Sequence, residues 1–391
     1  MDPIYLDHNA TTPVLPEVVD AMLPYLRDHF GNPSSAHIYG KRAHDAVARG
    51  RRQVASLIGC EPEEIVFTSG GTEANNLAIV GTTQQAARRR LITSVIEHPA
   101  TASPAAWLEQ QGWQVVRAGV DLTGRVQLAQ IEAALVEATA LVTVMHSNNE
   151  TGVLQPIKEV AAAAHRAGAF VHTDAAQSAG KVRISVAELG VDLLSLAGHK
   201  LYAPKGVGAL YVRRQTPLCP FLRGAGHERG LRPGTENVAS IVGLGAACEI
   251  AARDLTAEAE RVRGLRDRLW QRMASEIPAL AINGHETDRL PNTLNVRFPG
   301  VSGTELLNAT PEIAASTQSA CHTGGESPSS VLLAMGLPAE LALGAVRLTL
   351  GRSTTERLVD DAAAALVRSW RGLPGQSSGG REWGSNPPRT G

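Results

Sequence analysis

Lys200 stands in Ser195-Leu196-Ala197-Gly198-His199-Lys200-Leu201-Tyr202, at the close of an apolar run that begins at Val191 and is interrupted only by Asp192 and Ser195. The run from Val191 to Ala197 predicts a short buried strand. Its amine then lies just past the carboxyl end, where open α/β sheets hold their ligands. A lysine there is either a solvated loop charge or an amine recruited for chemistry. The preceding segment, Ala169-Phe170-Val171-His172-Thr173-Asp174, bears on the choice: it reads as a strand that ends in an acid, followed by Ala175-Ala176-Gln177. An aspartate on one strand end and a lysine on the next suit pyridoxal 5'-phosphate. The amine condenses with the aldehyde, and the carboxylate keeps the pyridine nitrogen protonated so that the ring can draw electrons from what is bound to it.

Three other clusters carry candidate chemistry. Ser69-Gly70-Gly71-Thr72-Glu73-Ala74-Asn75-Asn76 follows a predicted strand, Glu64 to Thr68, and opens a helix. Free backbone N–H groups, the helix dipole and two hydroxyls suit an anion there, although plain N-capping by Thr72 explains the same residues. No Gly-Lys-Ser/Thr follows, which excludes a Walker A loop. His98 follows the strand Leu91 to Val95, and His146-Ser147-Asn148-Asn149-Glu150-Thr151-Gly152 follows the strand Leu141 to Met145. Cys321 lies in Ser319-Ala320-Cys321-His322-Thr323-Gly324-Gly325-Glu326-Ser327-Pro328, a polar, glycine-bearing context for a thiol that must travel. His322 and a helix starting after Pro328 favour its thiolate; an incidental loop thiol is the other reading.

The elements that position these residues alternate strand with helix. Helical patterns run from His37 to Leu57 and from Ile157 to Arg166, and Gly208 to Val212 reads as a further strand. This order predicts a largely parallel, doubly wound sheet with its reactive groups on one edge. Val238 to Ile277 reads as a long helix crossing to a second, smaller α+β unit, in which Leu294 to Phe298 and Val346 to Leu350 are strands and Glu356 to Trp370 a closing helix. The expected division is a large domain over 16–254 and a small domain made of 1–15 and 255–372. The Pro/Gly/Ser-rich tail, 373–391, has too little apolar surface to fold.

At 391 residues, 43% hydrophobic and 19% charged with a formal net charge of −1, the chain reads as a two-domain soluble enzyme. Its charge balance gives no case for a nucleic-acid or membrane surface, and no apolar run reaches the length of a span. Met1-Asp2-Pro3-Ile4 lacks the regions of a signal peptide. Four separated cysteines, Cys60, Cys219, Cys248 and Cys321, argue against a disulfide framework or a metal site and for a reducing cytoplasm.

Taken together, several stretches resemble the cysteine desulfurases of the class V aminotransferase group, and especially their selenocysteine lyase branch. They are Asp7-His8-Asn9-Ala10-Thr11-Thr12-Pro13, Gly31-Asn32-Pro33-Ser34-Ser35, Thr68-Ser69-Gly70-Gly71-Thr72-Glu73, Asn148-Asn149-Glu150-Thr151-Gly152, His172-Thr173-Asp174-Ala175-Ala176-Gln177, Gly198-His199-Lys200, Arg232-Pro233-Gly234-Thr235-Glu236-Asn237 and Arg347-Leu348-Thr349-Leu350-Gly351-Arg352. The resemblance implies fold type I of the pyridoxal phosphate transferases and conversion of L-cysteine to L-alanine, with selenocysteine cleavage as the alternative. It implies that Lys200 holds the cofactor and moves the substrate Cα proton, that Asp174 meets the pyridine nitrogen, and that His98 stacks on the ring. Gln177 and Asn149 are implied near the phenolic oxygen. Gly71, Thr72 and His199 are implied at the phosphate, with Thr235 arriving from the second subunit of a homodimer. Arg347, Asn149 and Asn32 are implied at the substrate, and Cys321 as the sulfur acceptor that passes a persulfide to a partner protein. Two departures stand out: Ala197 replaces a serine common in the family, and the cysteine segment reads Ala-Cys-His-Thr-Gly-Gly.

Overall fold

A computed structural model describes residues 2–317 and 327–374. Seven strands make the main sheet: β2 (Ile65–Thr68), β3 (Arg90–Ser94), β4 (Gln114–Ala118), β5 (Leu141–Thr143), β6 (Phe170–Asp174), β7 (Leu193–Ala197) and β8 (Gly208–Val212). Their order is β2-β8-β7-β6-β5-β3-β4. The pairs from β4 to β7 are all parallel, whereas β8 runs antiparallel to both β7 and β2. Two reversals restore the direction, so β2 ends on the same edge as β3, β5, β6 and β7. The expectation of a largely parallel sheet holds, with β8 as the reversed strand.

Alternation along the strands divides the core in two. Ile65 and Phe67 belong to the core shared with the helices Ile38–Ile58 and Ile157–Arg166, while Val66 between them belongs to the core shared with the helices Gly71–Thr83 and Pro99–Gln110. This is the period-two consequence of a pleated strand covered on both faces. The helix Ile157–Arg166 buries Ile157, Val160, Ala161 and Ala164, one apolar stripe at helical spacing. At the sheet edge, β4 exposes Gln114 and Arg117, which discourages further strand pairing.

A second core lies beyond the sheet. The helix Val238–Ala274 contributes Ile241, Leu244 and Cys248 to the first core and Val262, Leu265 and Leu269 to the second, as expected of a helix that crosses between two units. The second core covers the antiparallel strands β9 (Ala281–Ile282), β10 (Thr293–Arg297) and β12 (Ala345–Thr349), backed by the helix Glu356–Gly372. The chain's opening strand β1 (Ile4–Tyr5) pairs with β11 (Ile313–Ala314), and Leu6 is fully buried in this core. Among the described residues, no helix is long and apolar enough to cross a membrane.

Candidate active site

The carboxyl edge of the sheet encloses a cavity of about 180 Å³. Asp174, Gln177, His199 and Lys200 line it from the ends of β6 and β7; Gly71, Thr72, His98 and Asn149 complete it from the segments after β2, β3 and β5. Register explains the first group. Asp174 pairs with Ser195, so β6 ends in its acid while β7 continues to Ala197 and a single tight turn, Gly198–Lys200, delivers the lysine.

Asp174 is 8% exposed, and both of its carboxylate oxygens are held. Oδ2 accepts from Asn75 Nδ2 at 2.6 Å and Oδ1 from the Ala176 amide at 2.9 Å. A carboxylate pinned by two donors keeps its direction. Lys200 Nζ donates to the carbonyls of Asn9 and Ala10 at 2.6 and 2.7 Å. Burial, with Arg347 adding to it against the opposing pull of Asp174 and Asp7, lowers its pKa to about 8. About a tenth of this amine is therefore neutral, and so nucleophilic, at pH 7, far more than of an ordinary lysine.

His98 caps the helix Pro99–Gln110: its Nδ1 accepts from the Ala100 amide at 3.1 Å. An amide can only donate, so the neutral ring carries its proton on Nε2. Burial lowers the His98 pKa and Lys200 lowers it further, with Asp174 opposing, which favours that neutral ring. His199 bonds Thr11 Oγ1 through Nδ1 at 3.2 Å. Burial and the nearby cations Lys200, Lys205 and Lys181 push its pKa down to about 4. The His199 ring is therefore neutral near pH 7.

That helix start is capped differently from the simplest expectation. Its N-cap is Gly70 rather than Thr72, and no side chain caps it. The first helical bond runs from the Ala74 amide to the Gly70 carbonyl, so the amides of Gly71, Thr72 and Glu73 precede the ladder. Gly70 holds φ 153° and ψ −179°, a conformation open in practice only to glycine. A Cβ on Gly71 would come to 3.1 Å from Ala197 Cβ. Backbone donors are left facing an open cradle, the arrangement an anion requires.

Arg347 on β12 is 2% exposed, yet it lies behind the cavity wall rather than in it. Nη2 donates to Asp7 Oδ1 at 2.7 Å and Nη1 to the Asn149 carbonyl at 3.2 Å, while Nε is buried with no hydrogen-bond partner among the described residues. Asn32 and Thr235 are exposed and outside the cavity lining; Asn32 Oδ1 accepts from the Ser34 amide in a local turn. Cys321 lies outside the described residues, as does the tail from 375 onward. The expected helix after Pro328 is present as Ser330–Ala334, capped by Ser329. The thiols of Cys60 and Cys248 are both pushed up to about 12, chiefly by burial.

Four site residues were not singled out from the sequence. Asn75, fully buried, reaches Asp174 from one turn after Thr72; the three-residue spacing that shares a helix face was its only signal. Asp7 and Asn9 stood inside a quoted motif that reads locally as a surface loop, but Asn9 is 1% exposed. Lys181 donates to Gln177 Oε1 at 3.1 Å and to Asn9 Oδ1 at 3.4 Å.

Comparison with known proteins agrees with this geometry. The aminotransferase class-V family model matches residues 4–361. The chain is 46% identical over 376 residues to a protein named cysteine desulfurase IscS from an Anaeromyxobacter species, covering 95% of this chain and 93% of that one. It is 47% identical over 363 residues to cysteine desulfurase 2 of Trichormus variabilis, covering 92% and 91%. Among solved structures it superposes on a NifS-like protein with TM-score 0.89 at 36% identity, covering 95% of this chain and 100% of that one. On DndA from Streptomyces lividans the TM-score is 0.75 at 37% identity, with 87% and 97% covered. The chain belongs to the class-V aminotransferase family and, within it, to the cysteine desulfurases.

Proposed function

We propose that this protein is a pyridoxal 5'-phosphate-dependent cysteine desulfurase that converts L-cysteine to L-alanine and moves the sulfur to Cys321. The observation that carries the reading is the cavity in which Lys200, Asp174, Gln177, His98 and the uncapped turn at Gly71 and Thr72 face one another. These residues fit the cofactor on three counts. Asp174 is a buried, doubly pinned carboxylate for a ring N–H, the Gly70–Thr72 turn is an anion cradle, and Lys200 is a buried amine of lowered proton affinity. When bound, the cofactor supplies an aldehyde for amines and a ring that takes up electron density from the substrate Cα.

The chain's own residues do the rest. Asp174 holds the ring nitrogen in its charged form. Gly71 and Thr72 bind the phosphate with His199 beside them, and Thr235 joins them from a second copy of the chain in a homodimer. His98, with its proton on Nε2, would lie against the ring, and Gln177 would donate to the ring oxygen. Lys200 takes the Cα proton and returns one, which its near-neutral proton affinity permits in both directions. Arg347 receives the substrate carboxylate, exchanging the Asp7 carboxylate for it on a planar fork, with Asn149 and Asn32 on the substrate side. Overall the substrate C–S bond breaks, Cβ gains a proton, and the Cys321 thiol gains one sulfur to become a persulfide, ready for a protein acceptor. The buried thiols of Cys60 and Cys248 are poor competitors for this role. The two separate hydrophobic cores support a division into 16–254 and 1–15 with 255–372.

The test is to supply cofactor and L-cysteine, quantify alanine, and look for one added sulfur on the peptide bearing Cys321. Alanine with that adduct is expected, and Cys321→Ala should lose the adduct while keeping the cofactor's visible absorbance. Alanine formed only from L-selenocysteine would move the reading to the lyase. Borohydride trapping that labels a residue other than Lys200 would overturn the site assignment.

A further inference from the structure

Gln177 is 7% exposed, and both ends of its amide are engaged. Its Nε2 donates to the Asn9 carbonyl at 2.9 Å, and its Oε1 accepts from Lys181 Nζ at 3.1 Å. The Asn9 carbonyl is also shared with Lys200 Nζ at 2.6 Å. A side-chain amide held at one end only can turn about its last torsion; held by an acceptor at one end and a donor at the other, it cannot. The second hydrogen of Nε2 is then the one donor this side chain has left for the cavity.

Lys181 is an unusual group to find in this place. Both of its bonds go to neutral amide oxygens, those of Gln177 and Asn9, and the charged groups that act on it are Lys200 and Arg347, both cations. His8 and His199 feel its charge in turn. A half-buried amine with no carboxylate partner among the described residues does not stabilise the fold as an ion pair does, so its retention calls for another role. Burial and those two cations push its pKa down to about 7, which removes much of the cost of keeping it there.

We propose that Lys181 is a positioning residue of this site: it grips Gln177 by the amide oxygen and so presents the amide nitrogen to the bound cofactor. The inference rests on the cofactor reading given above. Lys181 touches neither cofactor nor substrate and acts through Gln177 alone.

The test is a double-mutant cycle in cofactor affinity on the full chain, with Lys181→Met, Gln177→Ala and the pair, read by titrating pyridoxal 5'-phosphate into protein stripped of it and following visible absorbance. Lys181→Met should weaken the affinity about tenfold and shift the absorbance band as Gln177→Ala does. On the Gln177→Ala background its effect should fall below about twofold. Lys181→Arg, which keeps a donor, should lie closer to the parent than Lys181→Met. Equal losses on both backgrounds, or no loss in either single variant, overturn the proposal. If Lys181→Met loses the native circular-dichroism spectrum, Lys181→Gln takes its place in the same cycle under the same criteria. A parent chain that takes up no cofactor overturns the underlying reading instead, so the two failures are told apart before any variant is made.

Discussion

Replacing Asn75 by leucine separates what this residue does for the fold from what it does for the site. Leucine keeps the volume and removes both amide atoms from a fully buried position. The lost Nδ2 bond to Asp174, 2.6 Å long and made to a charged acceptor, stabilises the fold by about 1.5–3 kcal/mol. The same substitution removes Oδ1, which is buried without a partner and costs about 1–3 kcal/mol as it stands. The two effects oppose each other, so unfolding free energy should change by no more than about 2 kcal/mol in either direction. Cofactor binding has no such offset. Asp174 is left with the Ala176 amide alone and must be ordered on binding, at about 0.5–1.5 kcal/mol, a two- to tenfold rise in Kd. Denaturant unfolding of the cofactor-free protein and an absorbance titration measure the two separately. A large stability loss with unchanged affinity would refute the reasoning, because Asn75 would then serve the helix and not the carboxylate.

Gly70→Ala should lower unfolding free energy by about 1–3 kcal/mol through backbone strain alone, since a Cβ there meets nothing within 4 Å; a denaturation midpoint unchanged from the parent would contradict it. The rate at which pyridoxal 5'-phosphate is captured covalently under borohydride should rise with pH through a midpoint near 8, because the neutral amine of Lys200 is the reactive form; a midpoint near that of free lysine would count against its burial. Burial pushes the pKa of His172 down to about 3 and that of His146 to about 4. Unfolded, both bind protons near pH 6.5, so their contribution to stability is complete above that pH and is lost as the pH falls toward 4, at up to about 2.7 kcal/mol per pH unit for the pair. Urea unfolding at pH 7.5 and pH 5 should show that loss, and His172→Gln should make it shallower.

What the sequence made legible follows from how local each feature is. The strand ends at Asp174 and Lys200 were readable because the apolar runs before them can only be buried strands, and ligands gather at one edge of such a sheet. The helix Ile157–Arg166 and the crossing helix from Val238 were readable from spacing alone. Harder cases depended on distant partners. β4 carries Gln114 and Arg117 on an edge and so lacks a strong apolar pattern. β1 and β11, two residues each, form a pair only because the chain's opening returns to residue 313. The reversal of β8 leaves no mark on its own residues. The Thr72 cap was a fair local expectation, but Gly70 takes the position in a backbone conformation open in practice only to glycine, and β8 passes so close to it that a Cβ on Gly208 would fall 2.7 Å from Gly70.

The same reasoning explains why the opening segment reads as a surface loop on its own residues although Leu6, His8, Asn9 and Thr12 are buried. Taken alone, Asp7 to Pro13 is polar and turn-rich, and nothing in it asks for burial. Its polar atoms are nevertheless satisfied by residues 140 to 340 positions away: Asn9 Nδ2 by the Asn149 carbonyl and Thr293, Asn9 Oδ1 by Asn292 and Lys181, and Asp7 by Arg347 and Ser316. The Asn9 carbonyl meanwhile holds both Gln177 and Lys200. One residue thus ties the lysine to the amide that faces the cavity, and its neighbour Asp7 occupies the arginine assigned to the substrate. A buried polar group without partners is costly, so this segment is stable in its place only because residues after β5 and β6 and on β10 and β12 supply its partners, and none of those partners is visible in its own sequence.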